Sequence, residues 1–202
     1  AEDDRHSRYI ADSGFGTALF DARNAFNELN RYLMLWNVAH LWNHGSRFAF
    51  NRYRHWGICI VRDRPGKPPI VLHSKEGITQ GDCFAMSRYG VALLPLANKM
   101  REEHPSALQP SGAAGEASAN AGCLDFLVKF GPKYGYFAEP EKSCYICKVE
   151  DEVIARREFE KLGLNINFSR GERYLGGYIG SGATKDKWIG DMVAKWVAAV
   201  ES

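Results

Sequence analysis

The stretch TALFDARNAFN, residues 17–27, puts a short apolar run directly before an acidic residue and the start of a helical pattern. Residues 17–20 have the length and composition of a buried strand, so Asp21 is expected at the tip of that strand. From Asn24 onward, apolar residues recur at helical spacing. By itself, an aspartate in front of a helix is more often an N-cap than a metal ligand. The stretch therefore predicts a strand, a carboxylate at its end and then a helix.

The rest of the chain mixes helical and strand-like patterns without strict alternation, which favours an α+β fold. With 202 residues the chain is long enough for one sizeable core. We expect an N-terminal arm at 1–14 and one domain at 15–202, in which a small antiparallel sheet packs on long helices. The patterns predict strands over 56–61, 70–74 and 143–149, helices over 24–43, 81–103, 124–130, 151–162 and 184–200, and a hairpin over 164–180 that turns at Ser169-Arg170-Gly171.

Large apolar side chains in these segments are the expected core. Truncation of one of them to alanine is expected to cost about 2–5 kcal/mol of stability. The residues are Phe26, Leu33, Trp36, Tyr89, Leu93, Leu127, Tyr174 and Trp196.

The charge balance is close to neutral, with 26 basic and 24 acidic residues and a net charge of +2. Dedicated nucleic-acid binders usually carry a stronger basic surplus. Basic residues are dense between Arg47 and Lys67, where Tyr53 and Trp56 are interleaved. That combination suits stacking of single-stranded nucleic acid, but it is more often a solvated face beside core aromatics. The composition favours a protein partner or a larger assembly, with weak RNA or DNA binding as the alternative. No apolar run of about 18 residues occurs, so no membrane span is expected.

Five cysteines in no repeating framework favour a reducing, intracellular environment over a disulfide scaffold. Cys144 and Cys147 form a lone CxxC, whereas a zinc site needs two further ligands at suitable spacing. The segment around them has a strand pattern, in which positions three apart point to opposite faces. We expect both cysteines to be structural.

Four separated blocks share one resemblance. They are FDARNAFN at 20–27, KEGITQGD at 75–82, GYFAEPEKS at 135–143 and RYLGGYI at 173–179. In this order the blocks resemble the motif series of reverse transcriptases, in particular the divergent retroelement enzymes of fungi and protists. The resemblance extends over residues 14–196 and implies the palm domain of an RNA-directed DNA polymerase.

The first two blocks imply roles in binding metal, nucleotide and template. Asp21 matches the strand-end aspartate that binds catalytic magnesium in this family, because phosphoryl transfer with two metal ions needs oxygen ligands on a rigid element. Phe26 matches the aromatic residue that acts as a gate against ribonucleotides. Gln80 and Gly81 match the turn before the template-contacting helix, although the same residues would suit an ordinary helix start.

The last two blocks imply roles near the departing pyrophosphate and the primer end. Lys142 matches the lysine that is a proposed proton donor to pyrophosphate, although a surface lysine is the simpler interpretation. Tyr174, Leu175 and Gly176 match the primer-grip hairpin. The glycines of this block do not form a phosphate loop, because no Gly-Lys-Ser/Thr follows them.

The family's catalytic hairpin has no counterpart in this sequence. Between the second and third blocks the family carries an aromatic residue, a variable residue and two aspartates, whereas this chain reads LQPSGAAG at 108–115. Asp21 would then lack the carboxylates that share its metal ions, and one carboxylate makes a poor magnesium site. Only 20 residues precede Asp21, so the family's fingers are also expected to be absent.

These observations favour a pseudoenzyme. We expect a degenerate palm that is catalytically inactive, needs no cofactor and is retained as a binding or structural subunit, with Asp21 and Lys142 as vestiges of the catalytic site. The alternative is an active polymerase fragment whose hairpin or fingers are supplied elsewhere. In that case Mg²⁺ would be its cofactor.

Overall fold

The computed structural model describes residues 13–62, 66–105, 113–174 and 177–201. The elements, in chain order, are β1 (Gly16–Leu19), α1 (Ala25–Glu28), α2 (Arg31–Leu41), α3 (Asn43–Tyr53), β2 (Gly57–Val61), β3 (Ile70–Ser74), α4 (Ala85–Glu103), β4 (Ala113–Gly115), α5 (Ala117–Phe130), two 3₁₀ helices (Gly131–Tyr134 and Pro140–Lys142), β5 (Cys144–Cys147), α6 (Glu152–Lys161), β6 (Asn167–Ser169), β7 (Gly171–Tyr174), β8 (Gly177–Gly180) and α7 (Gly182–Glu201). The mixture of helices and short strands is the expected α+β class. None of the helices in the described ranges is both long enough and apolar enough to cross a membrane.

Contacts between residues group the chain into two compact units. The first unit combines residues 1–21, 104–125 and 139–202, and the second combines 22–103 and 126–138. The division into an arm at 1–14 and a single palm-like domain at 15–202 stays a prediction, and most of the arm lies outside the described residues.

The sheet of the first unit is built around β1. Its strand order is β4-β1-β5-β6, and β1 runs antiparallel to both of its neighbours. All four residues of β1 are buried, as the apolar run predicts. Gly16 is needed at its start, because a Cβ there would lie 2.6 Å from the carbonyl oxygen of Ile146 and 2.7 Å from the ring of Tyr145. β6 departs from the predicted antiparallel sheet, since it pairs parallel to β5.

Tyr145 of β5 organises the core of this unit. Its hydroxyl donates to the carbonyl oxygen of Gly14 at 2.7 Å. Its ring packs edge-on against Phe159 and Phe168, with ring centroids 5.1 and 5.7 Å away. Burial raises the pKa of the Tyr145 hydroxyl, so this group acts as a neutral hydrogen-bond donor inside the unit.

The predicted reversal at residues 169–171 is wrong. The Ser169 hydroxyl accepts the backbone N–H of Gly171 at 3.1 Å, which bends the chain at Arg170. As a result, β6 stays with the sheet of β5, and the antiparallel pair is β7 with β8. The C-terminal helix predicted over 184–200 is present as α7, and Trp188 stacks on Tyr178 of β8 with ring centroids 5.4 Å apart.

The second unit is a group of helices, and the range 24–43, predicted as a single helix, contains two, α1 and α2. α1 is one short turn, and Asn30 then caps α2 by accepting the backbone N–H of Leu33 at 2.9 Å. The stretch His44-Gly45-Ser46 lies inside α3, although a glycine is a poor helix former. Gly45 fits there because a Cβ would lie 2.9 Å from the Trp42 ring.

Helix α4 continues through Pro95, although a proline inside a helix removes one backbone hydrogen bond. One turn before the proline, the carbonyl oxygen of Ala92 accepts a hydrogen bond from the buried Asn37 side chain at 2.8 Å. Apolar residues from α2, α3, α4 and the segments before α2 and α4 form the core of the unit. They include Leu29, Met34, Val38, Ala49, Tyr53, Ile78, Ala85 and Ala92.

The expected core residues divide into three groups. Leu127 is buried, as predicted. Phe26, Leu33, Tyr89, Leu93 and Tyr174 are partly buried. The prediction is wrong for Trp36 and Trp196, whose exposed fractions are 64% and 61%.

A buried ion pair links α4 to the turn before it. Arg88 and Asp82 are joined at 2.7 Å, with side chains only 1% and 6% exposed. The Tyr53 hydroxyl also donates to the Asp82 carboxylate, at 2.8 Å. Burial by itself raises the pKa of Asp82, but the Phe84 amide, the Tyr53 hydroxyl and the Arg88 guanidinium hold the charged form, so that its pKa lies below the ordinary value.

Asp82→Asn tests this ion pair. Because the substitution leaves the Arg88 charge buried without its counter-ion, we expect a loss of about 3–5 kcal/mol in the free energy of unfolding at neutral pH, measured by urea denaturation. Since the pKa of Asp82 is lowered in the folded state, its contribution is present above the unfolded-state pKa and is lost as the pH falls through the folded-state pKa. The variant should therefore lose less stability on acidification than the unmodified chain.

Glu103→Gln is the matched control, because the Lys99–Glu103 pair is solvent-exposed at 3.9 Å. We expect that variant to change the free energy of unfolding by about 0–1 kcal/mol. Equal effects of the two substitutions would contradict the role given to the buried pair.

Candidate functional site

Asp21 follows the end of β1, and both its backbone N–H and its carbonyl oxygen are hydrogen-bonded. The Asp21 N–H donates to the Ser143 hydroxyl at 3.0 Å, and its carbonyl oxygen accepts the N–H of Glu139 at 2.9 Å. The residue itself is exposed, whereas the strand before it is buried. The backbone is therefore fixed and the carboxylate stands at the strand end, as the sequence predicts.

Asp21 opens onto a cleft of about 650 Å³ in the first unit. The cleft is lined by residues 19–21, Lys142, Cys144, 167–169 and 172–174. The structure thus brings three predicted site residues, Asp21, Lys142 and Tyr174, to one cleft. Leu175 and Gly176 lie outside the described residues. The roles that the family resemblance gives to all five stay predictions.

Lys142 ends the second 3₁₀ helix and carries a local ion pair. Its ammonium lies 2.7 Å from the Glu139 carboxylate. The Ser143 hydroxyl donates to the Glu139 carbonyl oxygen at 2.9 Å, so the same short turn also holds the Asp21 backbone. Lys142 is therefore positioned at the cleft by local bonds that a surface lysine would also make.

The cleft offers few oxygen ligands for a divalent cation. Its acidic residues are Asp21 and Glu172. Within the described ranges, no three His, Cys, Asp or Glu side chains are grouped so that they could hold a metal ion. β4 pairs with β1 through Ala18 and Ala113, and residues 106–112 before it contain no acidic residue. Because Mg²⁺ prefers an octahedral set of oxygens, the described residues do not fit a two-metal site.

A charged network that sequence reasoning missed lies beside the cleft. The Arg170 side chain donates to the Cys147 carbonyl oxygen at 2.9 Å and pairs with Glu152. A guanidinium nitrogen of Arg156 lies 2.6 Å from the same carboxylate, and the guanidinium carbon lies 4.3 Å from the ring centroid of Phe168. Hydrogen bonds from Arg156 and Arg170 lower the pKa of Glu152. The network fixes the bend that leads into β7. In the sequence, the i, i+4 spacing of Glu152 and Arg156 could have indicated the ion pair between these two residues.

Phe26 lies in the second unit and contacts the 75–82 block. Its carbonyl oxygen accepts the N–H of Ile78 at 2.7 Å, and its ring lies 5.1 Å from that of Tyr89. Gly77 has φ +74°, and a Cβ there would lie 2.4 Å from the carbonyl oxygens of Phe26 and Asn27. Gly77 is therefore a glycine that this turn requires for close approach.

Gln80 and Gly81 are exposed on the same turn. Gly81 has φ +91°, which favours glycine, but a Cβ there would meet no protein atom within 4 Å. Both side-chain positions are thus open to solvent, and their predicted contacts with nucleotide and template stay predictions.

Sequence reasoning also missed Arg31, which holds this turn. It is buried, and its guanidinium donates to the carbonyl oxygens of Ser74, Glu76 and Gly77 at 2.8, 2.7 and 3.0 Å. A charged residue inside the largely apolar stretch 29–38 could have indicated a buried role for Arg31. The sequence does not indicate which carbonyl groups the Arg31 side chain binds.

Comparison with solved structures gives a telomerase as a fold neighbour. The apo telomerase from Candida tropicalis truncated from its C-terminal domain superposes with a TM-score of 0.54 and 14% identity, over 82% of this chain. The chain spans about a third of that protein's length, at 34%. No protein-family model matches the chain, and its sequence matches no curated protein.

Telomerase is related to reverse transcriptases, so the predicted reverse-transcriptase-like α+β fold is confirmed. At 14% identity the likeness establishes the fold alone. What telomerase does is not transferred to this chain by the superposition.

The CxxC cysteines provide a test of the cleft's chemistry. Burial raises the pKa of Cys144 to about 11, and burial also raises that of Cys147. A protonated, buried thiol is a poor nucleophile. At neutral pH we therefore expect maleimide to modify the exposed Cys59 and Cys83 and to leave both CxxC thiols unmodified, as read by peptide mass spectrometry.

Unfolding in urea should make all five cysteines reactive. Fast labelling of Cys144 in the folded chain, with protection by added zinc, would contradict the structural role of this pair.

Proposed function

We propose that this chain is a palm derived from a retroelement reverse transcriptase that no longer adds nucleotides and serves as a binding or structural subunit with a protein partner. The observation that carries the proposal is the donor set at the end of β1. Asp21 is present, but residues 106–112, which directly precede β4, contain no second or third carboxylate. Two-metal phosphoryl transfer depends on such ligands, because the metal ions stabilise the attacking and leaving oxygens.

The size of the missing contribution supports loss of catalysis. Lewis-acid stabilisation of the transferring phosphoryl group contributes several kcal/mol, and each step of about 1.4 kcal/mol changes the rate tenfold. A cleft with one strand-end aspartate would therefore be slower by orders of magnitude than one with the full set.

Exposed apolar side chains support a protein partner. On α7, Ile189, Val193, Trp196 and Val200 follow a spacing of four, three and four residues, and each is exposed. That spacing forms one stripe along a helix. β2 and β3 carry a second group of exposed aliphatic side chains. Contiguous apolar surface of this kind is typical of protein interfaces.

A working polymerase is the second candidate, because Asp21, Lys142 and Tyr174 line the same cleft. Such an enzyme would need its catalytic hairpin from another chain. In that case Asp21 would still bind Mg²⁺ in the assembled complex, and Lys142 would be available to the pyrophosphate.

A primer-extension assay separates the two candidates. With a primed RNA template, deoxynucleotides and Mg²⁺, we expect the chain to incorporate no more nucleotide than the Asp21→Asn variant does. Incorporation by the unmodified chain that Asp21→Asn abolishes would overturn the proposal and favour the second candidate.

An insertion tests whether the cleft lacks only its carboxylates. Inserting Tyr-Ala-Asp-Asp between Pro110 and Ser111 should tighten Mn²⁺ binding by about tenfold or more, measured by electron paramagnetic resonance, because it would restore two oxygen ligands. The matched insertion Tyr-Ala-Asn-Asn should bind as weakly as the unmodified chain. Asp21→Asn in the aspartate insertion should remove the gain. Equal Mn²⁺ affinity in all these proteins would contradict the role given to the missing pair.

A further inference from the structure

The ribbon formed by β2 and β3 is exposed over its whole length. All residues of both strands are exposed, and neither strand pairs with any other strand in the described ranges. A two-stranded ribbon by itself is only marginally stable in water. An open strand edge also offers unpaired backbone N–H and C=O groups to another chain.

Both faces of the ribbon are apolar. Directly opposed residues share a face, so Ile60 and Val71 lie on one side while Val61 and Ile70 lie on the other. The exposed fraction is 67% for Ile58 and 52% for Leu72. A solvated hairpin usually has at least one polar face. Two aliphatic faces therefore indicate a surface that another polypeptide covers.

The ribbon is also the basic part of the chain. Residues 54–75 carry five basic residues and one acidic residue, a net charge of +4, in a chain whose total is +2. Of the basic residues, Arg54, Arg62, Lys67 and Lys75 are exposed in the structure. A second copy of the chain would bring like charges together, which disfavours self-association through the ribbon.

We infer that the ribbon binds an extended acidic polypeptide segment, which adds to one of its edges as a further strand. Backbone hydrogen bonds at the open edge would supply affinity, and alternate side chains of the segment would contact the aliphatic faces. Acidic residues on the segment would pair with the basic side chains around the ribbon. The inference deepens the proposed function, since it gives the chemistry of the protein partner and the surface that it uses.

Single-stranded nucleic acid is also acidic, but the side chains of the ribbon favour a polypeptide. Nucleic-acid platforms stack bases on several aromatic rings. β2 and β3 contain no phenylalanine, tyrosine or tryptophan, and the His73 ring on β3 already packs edge-on against Trp56, with ring centroids 6.1 Å apart. Trp56, which precedes β2, has the Lys75 ammonium 4.4 Å from its ring centroid. One face of that ring is therefore already in a cation–π contact.

The test uses the full chain and a fluorescein-labelled peptide of about ten residues in which Glu and Val alternate. We expect saturable binding by fluorescence anisotropy, and no binding of the Lys/Val peptide. The peptide should slow maleimide modification of Cys59 on β2. Cys83, which is exposed outside the ribbon, should react at an unchanged rate as an internal control.

Two pairs of variants locate the surface. The double substitution Ile58→Thr with Ile60→Thr keeps β-branched residues on β2 but replaces the larger apolar branch of each by a hydroxyl. It should weaken binding about tenfold or more. Its control is Val149→Thr with Val153→Thr, at exposed positions outside the ribbon and outside the α7 stripe. Arg62→Glu with Lys67→Glu should weaken binding similarly, whereas Lys185→Glu with Lys187→Glu on α7 makes the same charge change elsewhere.

Absence of Glu/Val peptide binding, or equal binding to the ribbon and control variants, would overturn the inference. So would a single-stranded oligonucleotide of equal charge that binds more tightly than the peptide and protects Cys59. Each of these results leaves the primer-extension measurement unaffected, so failure of this inference can be told apart from failure of the proposed function.

Discussion

The first unit depends on the pairing of β1 along both of its edges. Ladder bonds to β4 and β5 and burial of all four residues leave the strand no room to shift. Gly16 sits so close to Tyr145 and the Ile146 carbonyl that a larger residue would force the strands apart. Asp21 follows where this ladder ends, and its backbone is bonded to Ser143 and Glu139. Its position thus follows from the packing of the sheet, which would persist without metal ions or catalysis.

The second unit depends on buried cations. Arg31 and Arg88 are each at least nine-tenths buried within a group of helices. Burial of a guanidinium is unfavourable unless its donors are satisfied and its charge is balanced. Arg31 is satisfied by the carbonyl groups of the 74–77 turn, whereas Arg88 is balanced by Asp82 and lies 4.9 Å from the Phe48 ring centroid. Both residues act on the same part of the chain, because they fix the beginning and the end of the 74–82 segment.

The sequence predicted what periodicity and short spacing determine. The strands at 57–61 and 70–74 and the helix at 152–161 lie within a residue or so of their predicted ranges. It did not predict what depends on long-range contacts. Trp36 and Trp196 fit an apolar helical face, but both side chains are largely exposed, and Trp36 stacks on His40 of its own helix. Periodicity therefore identified the face and not its burial. The bend at Arg170 depends on a serine hydroxyl and on Glu152, which lies 18 residues earlier.

For the candidate site, the sequence indicated which residues lie around the end of β1, but it did not indicate the geometry of the turns. Asp21, Lys142 and Tyr174 do line one cleft. In the 75–82 block the carbonyl groups of Phe26 and Asn27 lie against Gly77, which the sequence analysis did not single out, while Gly81 faces open space and its contact with template stays a prediction. No local pattern distinguishes two glycines four residues apart when the group that packs on one of them comes from about 50 residues earlier.

The distribution of charge also separates the cleft from the rest of the chain. The ionisable acids and bases that line the cleft are Asp21, Glu172, Lys142 and Arg173, which balance one another. A site that holds a primer and a template neutralises phosphates with a surplus of basic side chains. That surplus lies on the ribbon of the second unit, where it accompanies aliphatic side chains on both faces. The arrangement is therefore better suited to an acidic polypeptide at the ribbon than to a nucleic-acid substrate at the cleft.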